Sequence, residues 1–308
     1  MKGESNSMLA RATTFPAQCG TGSSNGDGTA RVTSSGNTTV TQTGHLIINA
    51  DDWGRESRTT ARILDCVLRG TVSSVSAMVF MEDSERAAAI ARERGIDAGL
   101  HLNFTTPFSA PGCPARLVEH HQKLARYLLR WHPFSRVVFH PGLVHSFEYV
   151  VAAQFDEFRR LYQRDPDRID GHHHMHLCAN VLLRRLLPVG AIVRPHFSFE
   201  PGEKALRNRF FRHFAGVMLA RRHRAVDFFF SLPPLELPGR LAWIFSLARR
   251  SVVEVETHPV KLQEYQFLAG GDIFCLAGDL PIASRFPSAR RKETIHASRH
   301  QDQRNEAY

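Results

Sequence analysis

The stretch Leu46-Ile47-Ile48-Asn49-Ala50-Asp51-Asp52-Trp53-Gly54 constrains the chain more than any other. Its apolar start reads as a buried strand, which two adjacent carboxylates, an aromatic and a glycine then interrupt. Neighbouring side chains on a strand point to opposite faces. Asp51 and Asp52 are therefore expected to share a site only where the strand has ended and the chain turns. Loops at the carboxyl ends of parallel strands are where α/β folds bind ligands. Two carboxylates there repel each other unless a cation or a shared proton offsets the charge. A plainer role for Asp52 is the N-cap of a helix opening near Ser57, and the spacing leaves both readings open.

From this stretch onward, apolar runs alternate with amphipathic ones. Helical spacing over Thr60–Arg69 ends at Gly70, Val72–Phe80 reads as a strand, Glu82–Arg94 as a helix closing at Gly95, and Ile96–Phe104 as a third strand. Pro107, Pro111 and Pro114 then break the alternation. A basic helix is expected from Leu117 to Trp131, and Pro133 and Pro141 follow. An insertion of this length suggests a lid or substrate-binding excursion. A long amphipathic helix over Phe147–Arg164 precedes a short segment ending in Ile169-Asp170-Gly171-His172-His173-His174-Met175-His176, then a leucine-rich helix to Leu187. Further strands are expected at Ala191–Phe197, Ala225–Phe230, Val252–Thr257 and Leu280–Phe286, with helices at Glu203–Arg222, Pro238–Arg250 and Leu262–Leu268. The pattern predicts one α/β domain over residues 44–287 with a parallel, barrel-like sheet. Residues 1–43, dominated by Ser, Thr, Gly and Asn, are expected to form a disordered leader, and residues 288–308 a charged tail.

The five cysteines (Cys19, Cys66, Cys113, Cys178 and Cys275) are odd in number, scattered, and lack any C-x-x-C spacing. That argues against a disulfide framework or zinc ribbon and suits a reducing cytoplasm. No apolar run reaches the roughly 18 residues of a membrane span. The net charge of +9 invites a nucleic-acid reading. Yet the arginines lie along expected helices, with concentrations at Arg207–Arg224 and beyond Arg285, and no nucleic-acid-binding motif accompanies them. A solvated basic face accounts for them, suited also to an anionic membrane surface or an anionic substrate.

Three strand ends carry side chains suited to a metal. Asp52 follows the first strand, His101 lies in the third, and the His172–His176 cluster follows the next. One carboxylate with two imidazoles is a common set for a catalytic divalent ion. His172 and His176 are spaced i, i+4, so a helical segment would let both face one ion. The residues alone do not choose between them. Val255-Glu256-Thr257-His258-Pro259 places another histidine at the end of a late strand, a candidate general acid.

Taken in order, Asn49-Ala50-Asp51-Asp52-Trp53-Gly54, Gly99-Leu100-His101-Leu102, Asp170-Gly171-His172-His173-His174-Met175-His176 and Thr257-His258-Pro259 resemble the successive motifs of the YdjC-like family of carbohydrate deacetylases, which includes chitooligosaccharide deacetylases. The resemblance runs from about Leu46 to Phe286. It implies a deformed (β/α) barrel and one magnesium or zinc ion held by Asp52, His101 and His172. It further implies Asp51 as general base and His258 as acid. Trp53 stands where the family usually has phenylalanine, Gly171 where serine or alanine is common, and Thr257 where cysteine is frequent.

The expected activity is metal-dependent removal of an N-acetyl group from an amino sugar, oligosaccharide or glycolipid, with metal-activated water as nucleophile. Arg194, at the end of another strand, is expected to contact the substrate or to form a structural salt bridge. An anionic membrane surface and a second copy of the chain in a homodimer are further candidate partners, and no specific nucleic acid is expected. Two rival readings are a two-histidine, one-carboxylate iron oxygenase and a non-catalytic basic binding protein.

Overall fold

The computed structural model describes residues 44–130, 134–200, 212, 216–237 and 239–287. Its strands are β1 (His45–Trp53), β2 (Ser74–Ala77), β3 (Ala98–Leu102), β4 (Arg168–Gly171), β5 (Ile192–Val193), β6 (Phe228–Ser231) and β7 (Val252–Thr257). They pair in the order β5-β4-β3-β2-β1-β7-β6, every pair parallel. This is the strand order of a (β/α) barrel opened between β5 and β6. Isolated contacts span the opening: Ile192 bridges Arg224, and the Ser198 amide donates to the Phe229 carbonyl at 2.7 Å.

The strands alternate in a way that sets the interior apart from a packed apolar barrel. One face carries Leu46, Ile48, Ala50, Val75, Ala77, Leu100, Leu102, Ile169, Val193, Val253 and Val255, all buried in the main apolar core. Helices α1 (Ser57–Leu68), α2 (Ser84–Arg94) and α5 (Val144–Tyr162) cover that face with Ile63, Cys66, Ala87, Ala91, Val150 and Phe158. The opposite face carries Asn49, Asp51, Ser74, Ser76, His101, Arg168, Asp170, Glu254 and Glu256, also buried. Fully buried polar groups cost free energy unless they are paired, so these side chains must satisfy one another inside the curl. Ile47, Val226 and Phe229 form a small separate apolar cluster.

Several sequence expectations need correction. β1 does not end before its carboxylates. It continues to Trp53, with a register irregularity against β2 between Ala50 and Trp53 and a left-handed φ of 68° at Asp52. Such a bulge re-aims one side chain of a strand, which is how two adjacent aspartates come to serve one neighbourhood. The expected strand at Ala191–Phe197 is only Ile192–Val193, because Arg194 turns into the interior and Pro195 offers no amide to a ladder. The expected strand at Leu280–Phe286 reduces to a single bridge from Ile282 to Leu46. A short helix at Asp272–Ala277 was not foreseen. The expected leader and tail, and most of the helix Glu203–Arg222, lie outside the described residues.

The excursion after β3 folds as α3 (Ala115–Arg130) and the short α4 (Phe134–Val137). Leu117, Leu124 and Leu128 of α3 join the main core. Among the described residues, no helix is long and apolar enough to cross a membrane.

Close packing of the polar interior has a direct test at Gly99. A Cβ there would lie 2.9 Å from the Arg168 carbonyl oxygen and 3.0 Å from Arg168 Nε. Gly99→Ala is therefore expected to destabilise the fold by about 1–3 kcal/mol, the scale of overpacking a filled core. Denaturant unfolding checks this, and a neutral or stabilising change would show that the interior is loosely filled.

Candidate metal centre

Three strand ends bring Asp52, His101 and His172 together. Asp52 Oδ1 lies 3.0 Å from His172 Nδ1 and 3.6 Å from His101 Nε2. One candidate ligand atom from each residue falls within 4.8 Å of the other two. Asp52 Oδ1 and His101 Nε2 are buried, yet neither has a hydrogen-bond partner among the described residues. Buried polar atoms without partners are rare, and two of them converging with a second imidazole fit a cation. The donor set of one carboxylate and two imidazoles suits a divalent transition metal with coordination positions left for ligands.

The backbone explains the convergence. Asp52 adopts a left-handed conformation that aspartate tolerates better than most residues. Gly54 follows at φ 87° in a turn closed by the Arg55 amide on the Asp52 carbonyl at 3.1 Å. Helix α1 begins only after Glu56, which makes no side-chain cap, so Asp52 is not its N-cap. At the other strand end, His173 and His174 both take left-handed conformations (φ 55° and 56°), so residues 172–177 are not an α-helix. His172 and His176 therefore do not share a helical face. His176 Nε2 instead donates to the Arg194 carbonyl at 2.9 Å, away from the cluster. Burial pushes its pKa down to about 4, consistent with a neutral packing histidine. A Cβ on Gly171 would meet the His176 side chain at 3.0 Å, so glycine at that position accompanies the tucked ring.

Charged neighbours orient two members of the cluster. His101 sits opposite Asp170 in the β3–β4 register, and its Nδ1 lies 2.7 Å from Asp170 Oδ1. That hydrogen bond leaves Nε2 facing Asp52, the usual carboxylate–histidine–metal arrangement. Burial opposes the charged ring, but Asp170 and Asp51 outweigh it and carry the His101 pKa up to about 9. Asp52 Oδ2 is held by Arg55 Nη1 at 3.1 Å, leaving Oδ1 for the cluster. Burial also works against ionisation of Asp52, yet His172 and His101 more than offset it and keep its carboxyl below the usual range.

Asp51 faces the interior. Arg194 grips it in a bidentate pair, Nη1 to Oδ2 at 2.7 Å and Nη2 to Oδ1 at 2.8 Å, while Asn49 Nδ2 donates to Oδ1 at 2.8 Å. Burial would raise its pKa, but Arg194 and His101 hold it far below the carboxylate norm. Asp51, His101 and Asp170 form a second group of potential ligand atoms. Arg194 lies against both of its carboxylates, 2.8 Å from Asp170 Oδ2, and already supplies their positive charge. That group does not fit an ion.

Arg194 is 2 % exposed and also pairs with Glu254 at 2.8 Å and Glu256 at 3.4 Å. Of the two roles the sequence left open for Arg194, this geometry matches the structural salt bridge: every part of the guanidinium is engaged beneath the site. A cavity of about 510 Å³ opens above it, lined by Asp51, Asp52, His101, His172, Glu256 and His258, with Leu129 and Arg136 contributed by the excursion. His258 stands at the end of β7. Its amide and the Thr257 hydroxyl both donate to Glu264 Oε2, at 2.7 and 2.9 Å.

A protein-family model described as YdjC-like protein matches residues 45–260. The chain belongs to the YdjC-like family. Its relatives include the chitooligosaccharide deacetylase of Serratia marcescens, 32% identical over 43% of this chain and 50% of that protein. The carbohydrate deacetylase of Mus musculus is 34% identical over 44% of each chain. The alignments thus span about half the length of these curated relatives. A crystal structure of a proposed cellobiose-phosphate cleavage protein from Enterococcus faecalis V583 superimposes with a TM-score of 0.54, covering 78% of this chain and 96% of that one at 19% identity. That likeness supports the deformed-barrel fold.

Within this YdjC-like chain, the sequence reading assembled Asp51, Asp52, His101, His172 and His258 around one cavity and missed the residues that hold them. Asp170, Glu254, Glu256 and Glu264 carry no recognisable signature alone. The available signal was alternation: Glu254, Glu256 and His258 recur every second residue on one strand face.

Two outcomes follow from this geometry. Asp52→Ala, His101→Ala and His172→Ala are each expected to lower bound-metal content, while His176→Ala retains it, as read by elemental analysis of purified protein. Metal loss in His176→Ala with retention in His172→Ala would reverse the assignment. Arg194→Met leaves several buried carboxylates without their cation and is expected to cost about 3–5 kcal/mol of stability. A loss below about 1 kcal/mol in denaturant unfolding would place the interior carboxylates in their protonated forms instead.

Proposed function

We propose that this protein is a metal-dependent hydrolase that removes an N-acetyl group from an amino sugar, oligosaccharide or glycolipid. The observation that carries the reading is the Asp52–His101–His172 cluster at the floor of a cavity that Asp51 and His258 also line. The deacetylase names of the relatives that align with about half its length support the same reaction class.

Asp52, His101 and His172 would hold the ion, and two imidazoles in the donor set favour zinc over magnesium, which prefers oxygen ligands. When bound, a divalent ion supplies Lewis-acid polarisation and lowers the pKa of water. Asp51, kept anionic and fixed in direction by Arg194 and Asn49, takes a proton from the attacking water. The same clamp makes Asp51 a weak base, so it works only on water that is already acidified. As the new carbon–oxygen bond forms and the amide carbon–nitrogen bond breaks, His258 in its protonated form delivers a proton to the departing amine. The products are acetate and the free amino sugar. Glu264 acts as a positioning residue, fixing the backbone that presents His258.

The test is acetate release from a panel of N-acetylated sugars and glycolipids, with and without chelator. Chelation is expected to abolish release and added metal to restore it. Turnover that instead consumes oxygen would favour the iron-oxygenase chemistry of the same ligand set. The two aspartates separate on substitution. Asp51→Asn is expected to retain metal but slow turnover about 10²–10⁴-fold, the scale of general-base catalysis. Asp52→Asn is expected to lose metal affinity first and to recover partly in excess ion. Equal metal loss in the two variants would make both carboxylates ligands and require another base.

A further inference from the structure

A second cavity, of about 700 Å³, lies at the other end of the sheet. Its lining includes Ile96 and Asp97 just before β3, Asp167 and Arg168 at the start of β4, and Ile192 at the start of β5. The candidate metal centre sits at the carboxyl ends of the same strands. The two sites therefore occupy opposite faces of the fold.

The charge balance of this second cavity is lopsided. Asp97 Oδ1 lies 3.2 Å from Arg168 Nη1, and its Oδ2 accepts the Phe286 amide at 2.8 Å. Asp167 pairs with Arg164 at 3.3 Å. Both carboxylates of the wall are thus committed. Arg92, Arg224 and Arg285 also line the cavity, and none has an ion-pair partner among the described residues. Arg224 Nε donates to the Gly190 carbonyl at 2.9 Å, and Arg285 Nη2 donates to the Gly95 carbonyl at 3.2 Å. Each contact tethers one edge of a guanidinium and leaves its remaining N–H groups for a ligand. Three uncompensated cations around one concavity repel each other, and a bound anion relieves that repulsion.

We propose that this cavity binds a small phosphate-bearing molecule. Guanidinium forks match phosphate oxygens in bidentate pairs, and three of them suit a multiply charged anion better than a single carboxylate. Ile96, Ile192 and Phe286 add an apolar wall for an attached organic group. The volume falls within the roughly 300–1,000 Å³ of small-molecule sites. Arg168 forms part of the floor, packed 4.8 Å from the Phe286 ring centroid and tied by Nη2 to the Val75 carbonyl at 2.9 Å.

Calorimetric titration of the full chain with inorganic pyrophosphate, and separately with ADP, tests the proposal at physiological ionic strength. One pyrophosphate or ADP per chain is expected. Affinity should fall about tenfold or more in the triple variant Arg92→Ala/Arg224→Ala/Arg285→Ala. All three side chains are exposed, so the variant should keep its fold, which a thermal melt confirms. A control triple, Arg58→Ala/Arg116→Ala/Arg126→Ala, removes the same charge from exposed positions elsewhere and should bind as the unmodified chain does. Absence of binding, equal weakening in both triples, or binding that survives in the first triple would each overturn the assignment. Capture only by anionic vesicles, without binding of either soluble probe, would overturn it as well.

Discussion

One buried arginine determines what the interior of this fold can be. Arg194 leaves β5 and meets Asp51 from β1, Asp170 from β4, and Glu254 and Glu256 from β7, all at 3.4 Å or less. Taking a guanidinium out of water costs several kcal/mol, recovered only where carboxylates and hydrogen bonds satisfy it in good geometry. The carboxylates face the same constraint. Burial and neighbouring Asp51 push Glu256 well above the usual carboxyl range, and burial also raises Glu254. Asp51 and Asp170 are held low, with Arg194 the largest influence opposing burial in both. Four acids around one cation thus fall into two held below their ordinary range and two raised above it.

That sorting links architecture to chemistry. The strands that supply the carboxylates lie on both sides of the opening between β5 and β6, so Arg194 ties the curled sheet across its interior. The residue it grips most closely, Asp51, is the neighbour of the candidate ligand Asp52. The bulge at Asp52 turns one aspartate toward the histidines and leaves the other on the arginine. Two adjacent carboxylates therefore acquire different environments, one facing unpartnered imidazole nitrogen and the other already neutralised. His101 stands between them, bonded to Asp170 through Nδ1 and facing Asp52 through Nε2.

Much of this was legible in the sequence. The alternation of apolar and amphipathic runs led to the parallel barrel-like sheet, and four short motifs led to the YdjC-like family and to five residues that line one cavity. What escaped was non-local. Arg194 reads equally as a substrate contact or a structural salt bridge, because its partners in β1 and β7 lie 60 or more positions away. The histidine tract leaves His172 and His176 undecided because i, i+4 spacing would pair them only on a helix, whereas two left-handed residues break the segment. The strand expected at Ala191–Phe197 was overestimated because Arg194 turns inward. Alternation of Glu254, Glu256 and His258 was visible, but nothing in the local sequence said that both faces of the strand would be buried.

The central claim is that the ion belongs to Asp52, His101 and His172, with Asp51 kept outside it by Arg194. Anomalous diffraction from crystals grown with zinc tests this most directly. The account predicts one strong peak about 2.0–2.2 Å from an oxygen of Asp52 and a nitrogen of each histidine, with the Arg194–Asp51 pair intact. A peak bonded instead to Asp51 and Asp170, with Arg194 displaced, would contradict it.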